Sequence, residues 1–277
     1  MNGVQDYLEA HQLQTRDAND VIEEFQDEIA KMQGCCLDIG CGPASTTRKL
    51  FMPKLPADAT VVGGDISKKM VDFAKATHVD EKRLSFVQLN IEADNLPSNH
   101  FEAYDNAVSF YCLHWCQNIR KVFDNMYKLL RPGGKSLVLF LAHNTGFDSY
   151  LRLSDDPKYK PFMKDVSKYI PYFQQNDNPR ATLKKMLEES GFKVHHCSFR
   201  EKTFIYNRQI LKKHAIAVNP FIERMPLEIR EQFEEDLLRE IISRKISFGH
   251  TDNGSKEESK VLDRYHIMIA HFEKIGS

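Results

Sequence analysis

Cys35-Cys36-Leu37-Asp38-Ile39-Gly40-Cys41-Gly42-Pro43-Ala44-Ser45, followed by Val61-Val62-Gly63-Gly64-Asp65-Ile66-Ser67, is the stretch that decides the fold of this chain. A short apolar run ending in Asp-x-Gly-x-Gly reads as a buried strand that turns sharply into a helix, with glycines where side chains would keep a ligand from the backbone. Such a turn predicts a nucleotide site. The second apolar run ends in Asp65, 23 positions after Gly42, a spacing that suits a carboxylate accepting hydrogen bonds from both hydroxyls of a ribose. Position 45, where a dinucleotide-binding fingerprint carries its third glycine, holds Ser45, and the acid Asp38 stands two residues before the first glycine. Both features depart from the NAD pattern.

Outward from that stretch, strand and helix patterns alternate: strands at 37–39, 60–64, 84–90, 107–111 and 136–142, with helices at 45–51, 68–77 and 119–130 between them. Alternation of this kind implies parallel strands joined by crossover helices. Ser67 is placed to cap the helix from 68, and Arg131-Pro132-Gly133-Gly134 to stop the helix before it. Val21, Ile22, Phe25 and Ile29 have helical spacing, so the segment 1–34 reads as a helix laid over the core. From 143 to 178 the pattern gives way to Pro and aromatic residues, which predicts a cap of short helices. Asn178-Pro179 starts a helix that Gly191 closes, and strands are expected at 193–203 and 264–272. A second helical insertion, 207–260, carries Ile229, Phe233, Leu237 and Ile241 at steps of four; its polar stretch 249–259 reads as a mobile surface loop. The whole reads as a single domain: an N-terminal helical segment 1–34, a ligand-binding core 35–142, helical caps 143–178 and 207–260, and the remainder of the sheet at 179–206 and 261–277.

Composition narrows the function. With 38 basic and 39 acidic residues among 277 and no long basic stripe, a phosphate-tracking nucleic-acid binder is disfavoured and a small-molecule partner fits better. No apolar run approaches the roughly 18 to 20 residues of a membrane span, and no N-terminal apolar leader is present, so a cytoplasmic enzyme is expected. The six cysteines lie in or beside apolar strands and are expected to be reduced. Cys112-Leu113-His114-Trp115-Cys116 lacks the paired C-x2-C spacing of structural zinc modules, and both it and His195-His196-Cys197 have a simpler role as strand ends, so no metal is expected.

The Asp38-to-Gly42 turn resembles motif I of the class I methyltransferases that use S-adenosylmethionine, and Leu130-Arg131-Pro132-Gly133-Gly134 is similar to their helix-to-strand join. The resemblance implies an α/β fold with a Rossmann-like sheet, mostly parallel with an antiparallel C-terminal strand, plus helical cap insertions. It implies S-adenosylmethionine as cofactor, with Asp38, Gly40, Cys41 and Gly42 beside its amino acid end. Asp65 then serves the ribose, Ile66 and Met70 flank the adenine, and Asn90 and Ile91 meet it where the third strand ends. Ser109 and Phe110 end the fourth strand at the same carboxyl edge, where ligands of open parallel sheets bind. Ala44 stands where many of these enzymes have glycine, which tightens the loop slightly.

Three further segments are more specific. Leu13-Gln14-Thr15-Arg16-Asp17-Ala18, Ser109-Phe110-Tyr111-Cys112-Leu113-His114-Trp115 and Tyr265-His266-Ile267-Met268-Ile269-Ala270 resemble insect juvenile hormone acid methyltransferases, and with the cofactor motifs the likeness covers nearly the full length. In that family a Gln and a Trp hold the substrate carboxylate, which implies the catalytic pair Gln14 and Trp115, with His114 beside them in the substrate site. Both members of the pair offer N–H donors to an anion. The implied reaction forms the methyl ester of a long apolar carboxylic acid, a sesquiterpenoid such as farnesoic acid or juvenile hormone acid. A carboxylate is ionised at neutral pH, so alignment is the task and no general base is needed. Two alternatives stay open: another fatty or aromatic acid as acceptor, or a cofactor-binding protein without catalysis.

Overall fold

The computed structural model describes residues 12–248 and 260–276; the stretch 249–259, expected as a surface loop, and residues 1–11 lie outside them. The strands are β1 (Cys35–Ile39), β2 (Thr60–Asp65), β3 (Leu84–Gln88), β4 (Tyr104–Phe110), β5 (Leu130–Asn144), β6 (Phe192–Asn207), β7 (Ile246–Phe248) and β8 (Lys260–Lys274). They form one sheet in the order β3-β2-β1-β4-β5-β8-β6, with β7 added to the far end of β8. The first five run parallel, while β8 inserts antiparallel between β5 and β6. This is the mostly parallel sheet with an antiparallel C-terminal strand that the sequence predicts. Reversal of strand order at β1 and β4 opens a crevice at their carboxyl ends.

The apolar runs explain why both faces are covered. Leu37, Ile39, Val138 and Phe140 point to one face, where α4 (Ile119–Leu129) and α6 (Pro179–Glu189) bury Val122, Phe123, Met126, Leu183 and Leu187. Cys36, Val108, Leu137 and Leu139 alternate to the other, under Val21 and Ile22 of α1 (Gln12–Glu24). A short helix α2 (Gln26–Ile29) follows α1; the single helix expected here is broken at Phe25, whose φ of −101° and ψ of 19° leave the helical region. Between β2 and β3 lies α3 (Lys68–Thr77), with Ser67 Oγ accepting from the Met70 N–H as expected of its cap.

Three expectations change in detail. The helix expected at 45–51 is a π-helical turn, Thr47–Phe51, tightening to a 3-10 turn at Met52–Lys54. Strand β5 exceeds its expected limits because Leu130 pairs with Tyr104 and Asn144 with Tyr265, and β6 and β8 exceed theirs because they stay paired from Phe192↔Lys274 to Asn207↔Lys260, past the edge of the parallel strands. The second insertion also supplies β7, whose three exposed residues give no burial pattern to read. Its helices α7 (Arg208–Ala217) and α8 (Leu227–Ile242) pack with α5 (Thr145–Asp155) above the crevice. There Phe233 of α8 meets the ring of Tyr159 at 4.9 Å, and Phe221 meets Tyr150 at 5.5 Å.

Candidate active site

At the end of β1 the chain turns through Gly40 (φ 73°), Gly42 (φ 54°) and Ala44 (φ 61°). A Cβ on Gly40 would lie 2.1 Å from Cys112 Sγ, so this glycine is required by packing, whereas a Cβ on Gly42 would meet nothing within 4 Å. Gly42 therefore presents bare backbone to an open space, as a cofactor's approach requires. Ala44 adopts a conformation that glycine takes freely, at a cost of roughly 1 to 2 kcal/mol. The loop is held over β2 by the Gly40 N–H donating to the Gly64 carbonyl at 2.7 Å.

Asp65 closes that loop from the neighbouring strand. Its Oδ2 accepts from the Gly42 N–H at 2.9 Å and its Oδ1 from the Ser67 N–H at 2.8 Å, leaving lone pairs on both oxygens. Burial raises its carboxyl above the usual range, and the two backbone N–H donors oppose that shift. Asp38 is more deeply placed: the Thr47 hydroxyl donates to it at 2.5 Å. Burial, opposed by that hydroxyl and assisted by the like charge of Asp65, lifts it to about 7.

The other expected cofactor residues divide by exposure. Ile66 projects outward at 63 % exposure and Met70 is buried. Asn90 is exposed, with its side-chain oxygen accepting from the Glu92 N–H, while Ile91 is buried and its carbonyl accepts from Asn125. Ser109 is fully buried and spends its hydroxyl on the Ile39 carbonyl at 2.8 Å, a tie between β4 and β1. Phe110 lines the glycine-loop pocket together with Asp38, Gly40 and Cys41.

Next to that pocket lies a second cavity, roofed by the cap helices and lined mainly by Leu13, Leu141, Phe147, Tyr150, Leu211 and Ile241. Gln14 and Tyr111 line both spaces. Tyr111 itself has φ 60°, a left-handed turn after β4 that swings the 3-10 turn Leu113–Trp115 into the cavity wall. There His114 and Trp115 lie 4.9 Å apart, and Trp115 meets Phe147 edge-on at 6.1 Å. The Gln14 Oε1 and the His114 Nδ1 are buried without a hydrogen-bond partner. Buried polar atoms without partners are uncommon in folded proteins. Burial alone lowers the His114 ring to about 3, so it is neutral at any physiological pH.

Several residues at the site have no role in the sequence reading above, although Asp17 and Tyr265 lie within the segments quoted there. Asn144, Lys245, Asp263 and Tyr265 line the cavity, with Lys245 and Asp263 joined as a buried ion pair. Asp17 is fully buried and accepts from the hydroxyls of Tyr111 and Tyr265 at 2.6 and 2.7 Å. A signal for it existed: Leu13, Asp17 and Val21 recur at steps of four, which puts an acid on the apolar face of α1.

The family model described as a methyltransferase domain matches residues 37–136. The juvenile hormone acid O-methyltransferase of Drosophila melanogaster is 33 % identical over 99 % of this chain and 93 % of its own length. That of Bombyx mori is 31 % identical over 99 % and 98 %. Among solved structures, the YcgJ protein from Bacillus subtilis superposes with a TM-score of 0.59 at 14 % identity, covering 95 % of this chain and 100 % of its own. The [4+2]-cyclase SpnF does so at 0.51 and 13 % identity, covering 93 % and 82 %. One fold therefore serves different reactions, and the chemistry must be argued from the site.

Proposed function

This chain belongs to the juvenile hormone acid O-methyltransferase family, and from that premise we propose that it methylates the carboxylate of a sesquiterpenoid acid, juvenile hormone acid or farnesoic acid, to give the methyl ester. It is an enzyme, and S-adenosylmethionine is its cofactor. The single observation that carries the reading is the position of Gln14, which lines both the glycine-loop pocket and the apolar cavity. Two ligands seated in those spaces meet at that side chain.

The residues present fit the cofactor. Bare backbone at Gly42, free lone pairs on Asp65 and the outward Ile66 suit its nucleoside, and the buried Asp38 carboxylate suits its cationic amino acid end. When bound, the cofactor supplies an electrophilic methyl group on a sulfonium. The protein's own part is to hold the acceptor. Gln14 and Trp115 each present an N–H to one carboxylate, and the Gln14 amide turns over at little cost to do so. His114, neutral at working pH, adds a third polar contact without titrating. Aliphatic and aromatic walls strip water from the acid's chain, and fixing the carboxylate replaces a bimolecular encounter by an oriented one. Asp38 and Asp65 serve binding and not proton transfer. The same reading places the enzyme in the cytoplasm, acting on a small molecule and not on nucleic acid. Among the described residues no helix is long and apolar enough to cross a membrane.

Incubation with labelled methyl donor and a panel of terpenoid, fatty and aromatic acids, alongside the matching alcohols, tests the proposal. Methyl esters should form from the long apolar acids while the alcohols stay inert. Fastest turnover of a straight-chain or aromatic acid would move the substrate elsewhere, and methylation of an alcohol would overturn the carboxylate chemistry.

A further inference from the structure

We propose that Asp17 is the positioning residue of the acceptor site: its buried carboxylate clamps the hydroxyls of Tyr111 and Tyr265 and so fixes Gln14, one turn earlier on α1, against the substrate carboxylate. The inference rests on the carboxylate grip assigned above to Gln14.

Asp17 has no exposed surface and lines neither space; it acts through what it holds. Its Oδ2 receives the Tyr111 hydroxyl at 2.6 Å and the Tyr265 hydroxyl at 2.7 Å. Its Oδ1 receives the Arg16 Nη2 at 2.9 Å, and the same Nη2 donates to the Tyr265 hydroxyl at 2.8 Å. Lys202 Nζ stands 3.7 Å from Oδ1. One carboxylate thus joins α1, the left-handed turn after β4 and the antiparallel strand β8, three elements that share no local sequence. The geometry has two consequences for the reaction. First, both tyrosine hydroxyls point away from the cavity as donors, so the acceptor carboxylate is left to Gln14, Trp115 and His114. Second, Gln14 and Asp17 lie three residues apart on one helix, where side chains share a face, so fixing Asp17 fixes the rotation of α1 that aims Gln14. The Tyr111 clamp also holds the backbone turn that carries His114 and Trp115, whose φ of 60° a tyrosine adopts only under restraint. A buried charge kept at an acceptor site for a negatively charged substrate has a reason to be there if it sets geometry, which is the best-attested use of such groups.

The test is a set of double-mutant cycles on the full chain with farnesoic acid and S-adenosylmethionine. Asp17→Asn should lower kcat about tenfold or more while the Kd of the cofactor stays within about twofold. In a Gln14→Ala background the same substitution should cost less than about twofold more, because the arm it aims is gone. Tyr111→Phe and Tyr265→Phe keep the rings and remove one clamp each; they carry the same cycles if Asp17→Asn does not fold, and each should show the same loss of effect beside Gln14→Ala. Independent, multiplicative losses, or unchanged kcat in all three single variants, would overturn the role of Asp17 alone. Unchanged kcat in Gln14→Ala would overturn the carboxylate grip and this inference with it.

Discussion

At the scale of single residues, Asp38 is a carboxyl held against its own charge. Burial, opposed by the Thr47 hydroxyl and assisted by Asp65, lifts its carboxyl to about 7, against about 3.9 for an unfolded chain. The folded protein therefore binds more protons than the unfolded chain between about pH 4 and pH 7, and the ligand-free enzyme loses stability as pH rises through that window. Asp38→Asn removes the buried charge and keeps an acceptor for Thr47, so without ligand at pH 8 it should melt a few degrees above the wild type. Its affinity for S-adenosylmethionine should fall roughly tenfold or more, since a charged hydrogen bond contributes about 1.5 to 3 kcal/mol. Calorimetry and thermal melts read both; a lower melting point would refute the strain, and unchanged affinity the binding role. That Asp38, Gly42 and Asp65 come together could be read from the sequence, because the glycine turn and the acid that ends the next strand are written in one local stretch. Asp17 could not be read that way, since its partners lie 94 and 248 residues away and a buried acid on an apolar helix face declares no function until they are seen.

At the scale of elements, the glycine loop separates packing from ligand approach. Gly40→Ala drives a Cβ into Cys112 Sγ at a positive φ and should destabilise the fold by about 2 kcal/mol or more. Gly42→Ala bears the same backbone strain with open space around the new methyl, so it should cost about 1 to 2 kcal/mol and chiefly weaken the cofactor. Melting and cofactor titration of both variants check the contrast; equal losses of stability would mean that the space at Gly42 is not the cofactor's. The alternation of strand and helix was legible because strands buried on both faces read as short continuous apolar runs, whereas the crossover helices carry the 3.6-residue period. The caps were legible only as helical and apolar. Their docking depends on pairs such as Tyr159 with Phe233, and Tyr159 with Asp236 at 2.5 Å, which join segments more than seventy residues apart. Likewise the π-helical turn at Thr47–Phe51 leaves no mark in composition: Thr47 is drawn to Asp38, and turns of this kind recur at functional sites.

For the molecule as a whole, placing two ligand spaces side by side under one roof predicts two different pH dependences from one enzyme. The turnover number at saturating cofactor reports ionisations in the ternary complex, whereas kcat/KM for the cofactor reports those of the free enzyme. The substrate carboxylate is already ionised between about pH 6.5 and 8.5, and burial holds the His114 ring beside it down at about 3. Burial raises the hydroxyls of Tyr111 and Tyr265, with Asp17 adding to both shifts, so they remain protonated donors throughout. The turnover number should therefore be flat across that range. In the binding role proposed for it, Asp38 has to lose its proton in the free enzyme to receive the cofactor's cationic end, so kcat/KM for S-adenosylmethionine should be level above about pH 7 and fall on the acid side, approaching tenfold per unit. Asp38→Asn should abolish that acid limb and leave the flat turnover profile in place. Initial rates measured over pH 5.5 to 9 with varied cofactor decide it: a turnover number climbing about tenfold from pH 6.5 to 8.5 would require a base at the acceptor, which the neutral His114 and the protonated Tyr111 and Tyr265 do not supply.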